Sequence, residues 1–378
     1  MKKRQIKITI ISLIALIVVV AAGFGIKSVM PVRLTPTADY FSQQAAGHMT
    51  SDELMDYRAL QQFMRMPTTI FKDYEDFPPS LWKYGLAFTS YALANIPYIE
   101  EGQRAAAGYY IDMMIQRMKL KVVWEDWQQQ GFGDDPITQH NIMYKGHLNL
   151  MYGLHQLVSG STKWDKDLVW LSNNISDEID ATPYSGVTCE PDCYFSQCNS
   201  IGIYSLLVYD KLHGTNHSKE INSWLTWMKA QMIDSKYGVL SRVYHPESGY
   251  IDQEVSGYGN AWTIAFLHAI DPAFAESLYP KFKKTFVKEM LSMYAMVSEN
   301  PGGPPDSQAT MFALITAKEM GDQPLFDKLL NSIEMKATPT VDGYSVNYKG
   351  ITMISRGGLL FGKVNVGLGK MLTEKPKN

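Results

Sequence analysis

Apolar residues recur at intervals of three and four along most of this chain, the pattern of a helix with one buried face. Ten stretches carry it: Trp82 to Ala94, Ala105 to Met118, Asn141 to Val158, Lys166 to Ile179, Asn199 to Leu212, Glu220 to Met232, Trp262 to Ala269, Ala273 to Val297, Ser307 to Glu319 and Pro324 to Met335. The punctuation between them agrees. Ser159-Gly160-Ser161 and His213-Gly214-Thr215 read as helix ends with a glycine cap, and Asp271-Pro272 reads as a start, with a capping carboxylate and a proline in the first turn. Only Tyr237 to Tyr244 and Thr340 to Ser355 look extended. About ten to twelve helices with short connections predict an all-α fold. An α/α toroid, an (α/α)6 barrel in which paired helices form inner and outer rings, is the expected architecture. A superhelical solenoid is the alternative.

The first residues break the pattern. Lys2, Lys3, Arg4 and Lys7 precede an uncharged apolar run from Ile8 to Ile26, closed by Lys27. That run is long enough to span a bilayer as a helix. It is longer than the apolar part of a cleaved signal, and Ala21-Ala22-Gly23-Phe24-Gly25 fits a cleavage site poorly. Residues 1–27 are therefore expected to be an uncleaved anchor, with a cleaved signal as the alternative. Either way the basic flank stays inside and the remainder is exported to the periplasmic side. Residues 28–48, with Pro31 and Pro36, form a linker, and 49–378 a single catalytic domain.

Composition narrows the partners. Net charge is −3 and no basic block lies beyond the N-terminus, which excludes nucleic acid. With 21 Met and 22 Tyr, the chain is suited to a greasy interior cavity or simply to a large helical core. The three cysteines, Cys189, Cys193 and Cys198, fall within ten residues. Three is too few for a disulfide framework, and no histidine lies close enough in sequence to complete a structural zinc site.

Four stretches hold candidate chemistry. In Cys189-Glu190-Pro191-Asp192-Cys193-Tyr194-Phe195-Ser196-Gln197-Cys198-Asn199, Pro191 and Asp192 make a loop, and Asn199 or Ser200 is placed to cap the following helix. Cys198 then stands at a helix N-terminus, where backbone N–H groups favour a thiolate. Small buried hydrophobes, or one disulfide, explain the same cysteines without chemistry. On a helix from Asn141, Met143 and His147 share a face, and His147 is either a core histidine or an acid–base group. Tyr258 and Trp262 are likewise four apart. Glu125, Asp126, Asp134 and Asp135, set among Trp124, Trp127 and Phe132, suit a carbohydrate-active hydrolase working with paired acids.

Together these stretches resemble linalool dehydratase-isomerase. The resemblance is carried by GFGDDPI through NIMYKGHLNLMYGLHQLVSGS, by CEPDCYFSQCNS running into LLVYDKLHGT, and by YHPESG, AWT, DPAF and YPKFKKTFV in order; KYGLAF and TADYFSQQA match earlier. It implies an α/α toroid and a cofactor-independent, metal-free dehydratase or isomerase of small isoprenoid alcohols. It also implies export and a homo-oligomeric ring, a pentamer. Cys189, Cys198 and His147 correspond to catalytic positions, and Tyr84, Met143, Phe195, Tyr258 and Trp262 to substrate-binding ones. The sequence also departs from the family. The early Asp and Tyr of the family's acid machinery fall near Met64 and Ile70, with Asp56, Tyr57, Asp73 and Tyr74 as nearby substitutes. Leu120 stands where the family has a bridging cysteine, and Cys193 is extra. A homologue that binds isoprenoids without turning them over is thus a further alternative.

Overall fold

The structure is a computed structural model that describes residues 39–65, 81–343 and 345–378. The expected membrane anchor and most of the linker lie outside the described residues, as do Ile70, Asp73 and Tyr74. Among the described residues no helix is long and apolar enough to cross a membrane.

In chain order the helices are α1 (Ser51–Met64), α2 (Trp82–Ile99), α3 (Arg104–Met118), α4 (Lys121–Gln129), α5 (Ile142–Ser159), α6 (Asp165–Ala181), α7 (Ser196–His213) and α8 (Ser218–Gln231). A two-residue hairpin, β1 (Tyr244–His245) and β2 (Tyr250–Ile251), precedes α9 (Gly257–Ile270) and α10 (Pro272–Phe286). Then come β3 (Val287–Met290), β4 (Tyr294–Ser298), β5 (Pro305–Asp306), α11 (Ser307–Glu319) and α12 (Gln323–Ala337). The hairpin β6 (Pro339–Asp342) and β7 (Ser345–Tyr348) leads to α13 (Met353–Val364) and α14 (Leu368–Thr373).

Among the described residues six helices form a closed inner ring. α2 packs on α5, α5 on α7, α7 on α9, α9 on α11, α11 on α13, and α13 returns to α2. That return contact makes the molecule a toroid and excludes an open solenoid. Helices α3, α6, α8, α10, α12 and α1 lie outside, one between successive inner helices in sequence. The two sets differ in chemistry: almost every residue of α5, α9 and α11 is buried, whereas α6 and α8 bury one stripe. A helix enclosed on all sides is apolar all round, and one facing water needs a single apolar face.

The expected glycine caps are present. Gly160 and Gly214 end α5 and α7 in the left-handed region, at φ 73° and 67°. Asp271 caps α10 through the Phe274 N–H, with Pro272 in its first turn. Three expectations need correction. The helix expected to run from Ala273 to Val297 stops at Phe286, and its second half is the β3–β4 hairpin, turning at Leu291 and Ser292 with φ 51° and 57°. Of the stretch expected to be extended from Tyr237 to Tyr244, only Tyr244 lies in a strand, and of Thr340 to Ser355 the hairpin ends at Tyr348 and the last three residues open α13.

A buried ionic cluster ties α1 to the ring. Lys363 Nζ on α13 lies 2.6 Å from Asp56 Oδ2, 3.0 Å from Asp52 Oδ2 and 3.5 Å from Glu334 Oε1, and all four side chains are almost wholly enclosed. Burial lifts the Asp56 carboxyl above the usual range, with Lys363 opposing it. Lys363 itself is held protonated: burial works against its charge, and Asp52 and Asp56 outweigh it.

Candidate active site

The cysteine segment is shaped before its helix begins. Cys189 N donates to Cys193 O at 2.8 Å and Cys193 N to Glu190 O at 3.0 Å, closing a tight turn with Asp192 at φ 62°. Tyr194 and Tyr244 exchange backbone hydrogen bonds at 2.9 and 3.0 Å, anchoring the turn to β1. Helix α7 begins at Ser196, so Asn199 is not its cap. The Asn199 amide instead clamps Val187, accepting from its N–H at 2.8 Å and donating to its carbonyl at 2.9 Å. Those bonds hold Cys189 beside the first turn of α7, which carries Cys198.

Helix α5 comes unusually near α7 because glycine faces glycine. A Cβ on Gly146 would meet Gly202 N at 3.3 Å and its Cα at 3.4 Å. The close crossing brings Cys198 Sγ to 3.8 Å from Met143 Sδ. The Cys189 and Cys198 thiols are neighbours; burial first, and then Cys198, push the Cys189 thiol well above its usual range. Both are buried and unbridged, while Cys193 is only partly buried.

His147 follows Gly146 on the same helix and is 1% exposed. Its Nδ1 lies 2.5 Å from the Tyr91 hydroxyl on α2. Burial keeps that phenol protonated and so a donor. The Tyr91 O–H is therefore directed at Nδ1, which accepts, and the ring proton belongs on Nε2. Nε2 is buried with no hydrogen-bond partner among the described residues. Burial, and secondarily the Lys83 charge, depress the imidazole to about 3. His147 is thus a neutral imidazole that presents an N–H at Nε2.

Rings surround it. Tyr84, Phe88 and Trp262 lie 5.9, 5.7 and 5.5 Å from the imidazole, centroid to centroid. Phe312 stacks on Trp262 at 4.7 Å, and Tyr258 lies 5.6 Å from Phe312. Helix α9 presents Tyr258 and Trp262 because its N-terminus is fixed: Glu299 accepts from Ser256 Oγ at 2.6 Å and from Tyr258 N at 3.0 Å. Phe195 precedes α7, half-buried against the core, and lines neither cavity described below.

Two spaces adjoin the cage. An apolar cavity of about 250 Å³ is bounded by Tyr84, Phe88 and Phe312, with Met296, Met311 and Ile333 beyond them. No carboxylate lines it among the described residues. A polar chamber of about 40 Å³ is bounded by Tyr84, Cys189 and Met143, and by Lys83, Asp126 and Trp127. Tyr84 belongs to both walls.

The structure therefore brings together Cys189, Cys198, His147, Tyr84, Met143, Tyr258 and Trp262, while Phe195 stands at the N-terminus of α7, packed against the core. Tyr91, Phe88 and Phe312 were not anticipated. The stripe Tyr84, Phe88, Tyr91 along one face of α2 was the available signal. Of the proposed substitutes for the early acid, Asp56 is bound to Lys363 and Tyr57 is buried away from both cavities; Met64 is buried and its carbonyl accepts from Arg117 at 2.6 Å. Of the loop acids, Asp134 and Asp135 are exposed, holding Gln128 and the Ile137 N–H, and Asp126 alone of the four lines one of these two spaces. Among the described residues no three His, Cys, Asp or Glu side chains are grouped to hold a metal.

Comparison with solved structures finds distant likenesses. An α-amylase from Clostridium perfringens is 11% identical over 75% of this chain and 85% of that one, with a TM-score of 0.49. A glycosyl hydrolase of family 88 from Bacteroides vulgatus is 12% identical over 84% and 98%, also at 0.49. An α-1,6-mannanase from Salegentibacter sp. is 10% identical over 88% and 97%, at 0.48. Likenesses so remote carry no weight for the chemistry. The sequence comparison is specific: residues 83–169 and 159–352 match the linalool dehydratase/isomerase family. Those segments contain both buried cysteines, the histidine and the aromatic cage, and the chain belongs to the linalool dehydratase/isomerase family.

Proposed function

We propose that this protein is a cofactor-independent dehydratase and isomerase of isoprenoid allylic alcohols, with Cys189, Cys198 and His147 as its acid–base centre. One observation carries the reading: two adjoining thiols lie beside an aromatic cage that encloses an imidazole N–H without a partner among the described residues, next to an apolar cavity. Removing water from an alcohol requires a proton for the departing hydroxyl and an acceptor for a neighbouring C–H proton. The Cys189 thiol retains its proton and serves as donor. Cys198 is the partner that accepts. The Nε2–H of His147 holds the hydroxyl oxygen in place. The ring faces of Tyr84, Phe88 and Trp262 shelter cationic character as the C–O bond lengthens. The hydrocarbon tail occupies the apolar cavity, where burial contributes roughly 25 cal/mol per Å². The sequence supports export, with the apolar run Ile8–Ile26 as anchor, and the family supports assembly into a ring.

Headspace gas chromatography of the purified protein with primary and tertiary allylic alcohols tests the reading. Alkene or rearranged alcohol should form and should vanish after iodoacetamide treatment. Cys189→Ala and Cys198→Ala should each abolish turnover while keeping the wild-type melting temperature. Full activity in either variant refutes the thiol assignment. The hydrolase alternative would work through Asp126, which lines the polar chamber, and it predicts activity insensitive to iodoacetamide. The binding-only alternative draws on buried, apolar Met64, and tight alcohol binding without product would establish it.

A further inference from the structure

The two spaces beside the cage differ in kind, and the reaction just proposed has products that differ in the same way. Dehydration yields an apolar alkene and one water. The alkene can remain where the alcohol's tail was. Water released among Phe88, Trp262 and Phe312 can accept from the Trp262 and His147 N–H groups, but those rings offer its own protons no acceptor, so it is poorly held there. The polar chamber is where such a molecule can go. It begins at Cys189, which is 1% exposed, and reaches the surface at Glu190 and Gln130, which are exposed. Its volume of about 40 Å³ exceeds what one water needs. Its wall also carries an unmet donor: Trp127 is 5% exposed, and its indole N–H has no hydrogen-bond partner among the described residues. A buried N–H of that kind is ordinarily satisfied by an ordered water.

We propose that this chamber is a water site and port, separate from the hydrocarbon cavity, which receives the water eliminated from the substrate and returns water when the double bond is hydrated. The inference rests on the dehydratase reading of the cysteines. The balance is simple. The C–O bond breaks as the hydroxyl takes the Cys189 proton and leaves as water. A neighbouring C–H bond breaks, its electron pair forms the alkene, and its proton passes to Cys198, which enters the cycle as the thiolate. Water in the chamber then carries a proton to Cys189 while the proton on Cys198 is released, so no other reactant is consumed. Isomerisation is the same elimination followed by addition of chamber water at the other end of the allylic system. Tyr84 is the partition between the two routes.

The test follows oxygen. The purified full-length protein converts a primary allylic alcohol in water enriched in oxygen-18, and mass spectrometry reads the label in the tertiary alcohol. Wild type should incorporate label, because chamber water exchanges with bulk. Gln130→Trp narrows the mouth and should lower the labelled fraction severalfold, the original oxygen being returned instead. Trp127→Phe removes the indole donor and should slow dehydration by about fivefold, the worth of one hydrogen bond. Unchanged labelling in the first variant together with an unchanged rate in the second, both variants folded by circular dichroism, overturns the proposal. A high-resolution crystal structure of the resting protein supplies a measure independent of turnover. Ordered water within hydrogen-bond reach of the Trp127 indole supports the site, and a dry chamber overturns it. Failure of wild type to convert any alcohol would count against the dehydratase reading, with the water map still deciding the site.

Discussion

The short contact between Tyr91 and His147 decides which nitrogen of a buried imidazole carries the proton, and so what the histidine can do. Tyr91→Phe removes the donor that fixes the ring. Turnover should fall about 10-fold or more, since a misplaced tautomer disables an otherwise intact site. The ¹⁵N spectrum of His147 should also move from one neutral form to a mixture of both. An unchanged spectrum would show that something else orients the ring. Protonation supplies a second prediction. His147 titrates near 3 in the fold and near 6.5 when unfolded, so below about pH 6.5 the unfolded chain binds more protons. Its contribution to stability is complete above that pH and declines by about 1.4 kcal/mol per unit down to about pH 3. Denaturant titrations of wild type and His147→Gln from pH 7 to 4 should differ by that slope, with the variant flatter. Sequence alone led to Cys189, Cys198 and His147 through the family motifs. It did not lead to Tyr91, Phe88 or Phe312, because an aromatic residue on an inner helix looks the same whether it packs or encloses a ligand.

At the level of helices, the site depends on how near α5 comes to α7. Gly146→Val puts a branched side chain against the Gly202 backbone. It should cost about 1–3 kcal/mol, as overpacking does, and should also part Met143 from Cys198. The expected signature is a lowered denaturation midpoint with faster alkylation of Cys198. A midpoint shift without faster alkylation would mean that the helices yield elsewhere. Helix spacing was the most legible feature of the sequence: Ser307–Glu319 was delimited to the residue, and most other bounds lay within a few residues. The failure at Val287 has a physical source. Phe286, Met290, Tyr294 and Val297 keep helical spacing, while Val287 to Met290 and Tyr294 to Ser298 serve equally well as strand partners. The turn between them uses Leu291 and Ser292, with no glycine or asparagine to announce it. Helix α1 went unread for the opposite reason, because three of its eight buried residues, Asp52, Glu53 and Asp56, are acids.

For the molecule as a whole, those acids matter most where the ring is joined. Lys363 neutralises buried carboxylates from α1 and α12, so Lys363→Met leaves them uncompensated and should cost about 3–5 kcal/mol. The measurement is a melting temperature. A variant as stable as wild type would mean that the acids take up protons at little cost. The toroid was legible as a count of helices, whereas its closure was not, because nothing in a one-dimensional pattern says that the last inner helix meets the first. That meeting governs how the protein is made. Residues 353–364 complete a seam whose other side, 82–99, leaves the ribosome some 250 residues earlier. Until then the nascent chain is an open arc in which the sides of Phe88 and Tyr91 that meet Phe361 have no cover, since Phe361 has not been synthesised. A message cut short by a few dozen codons therefore yields no smaller enzyme, only an unclosed arc with an adhesive edge, suited to chaperones and proteases rather than to catalysis.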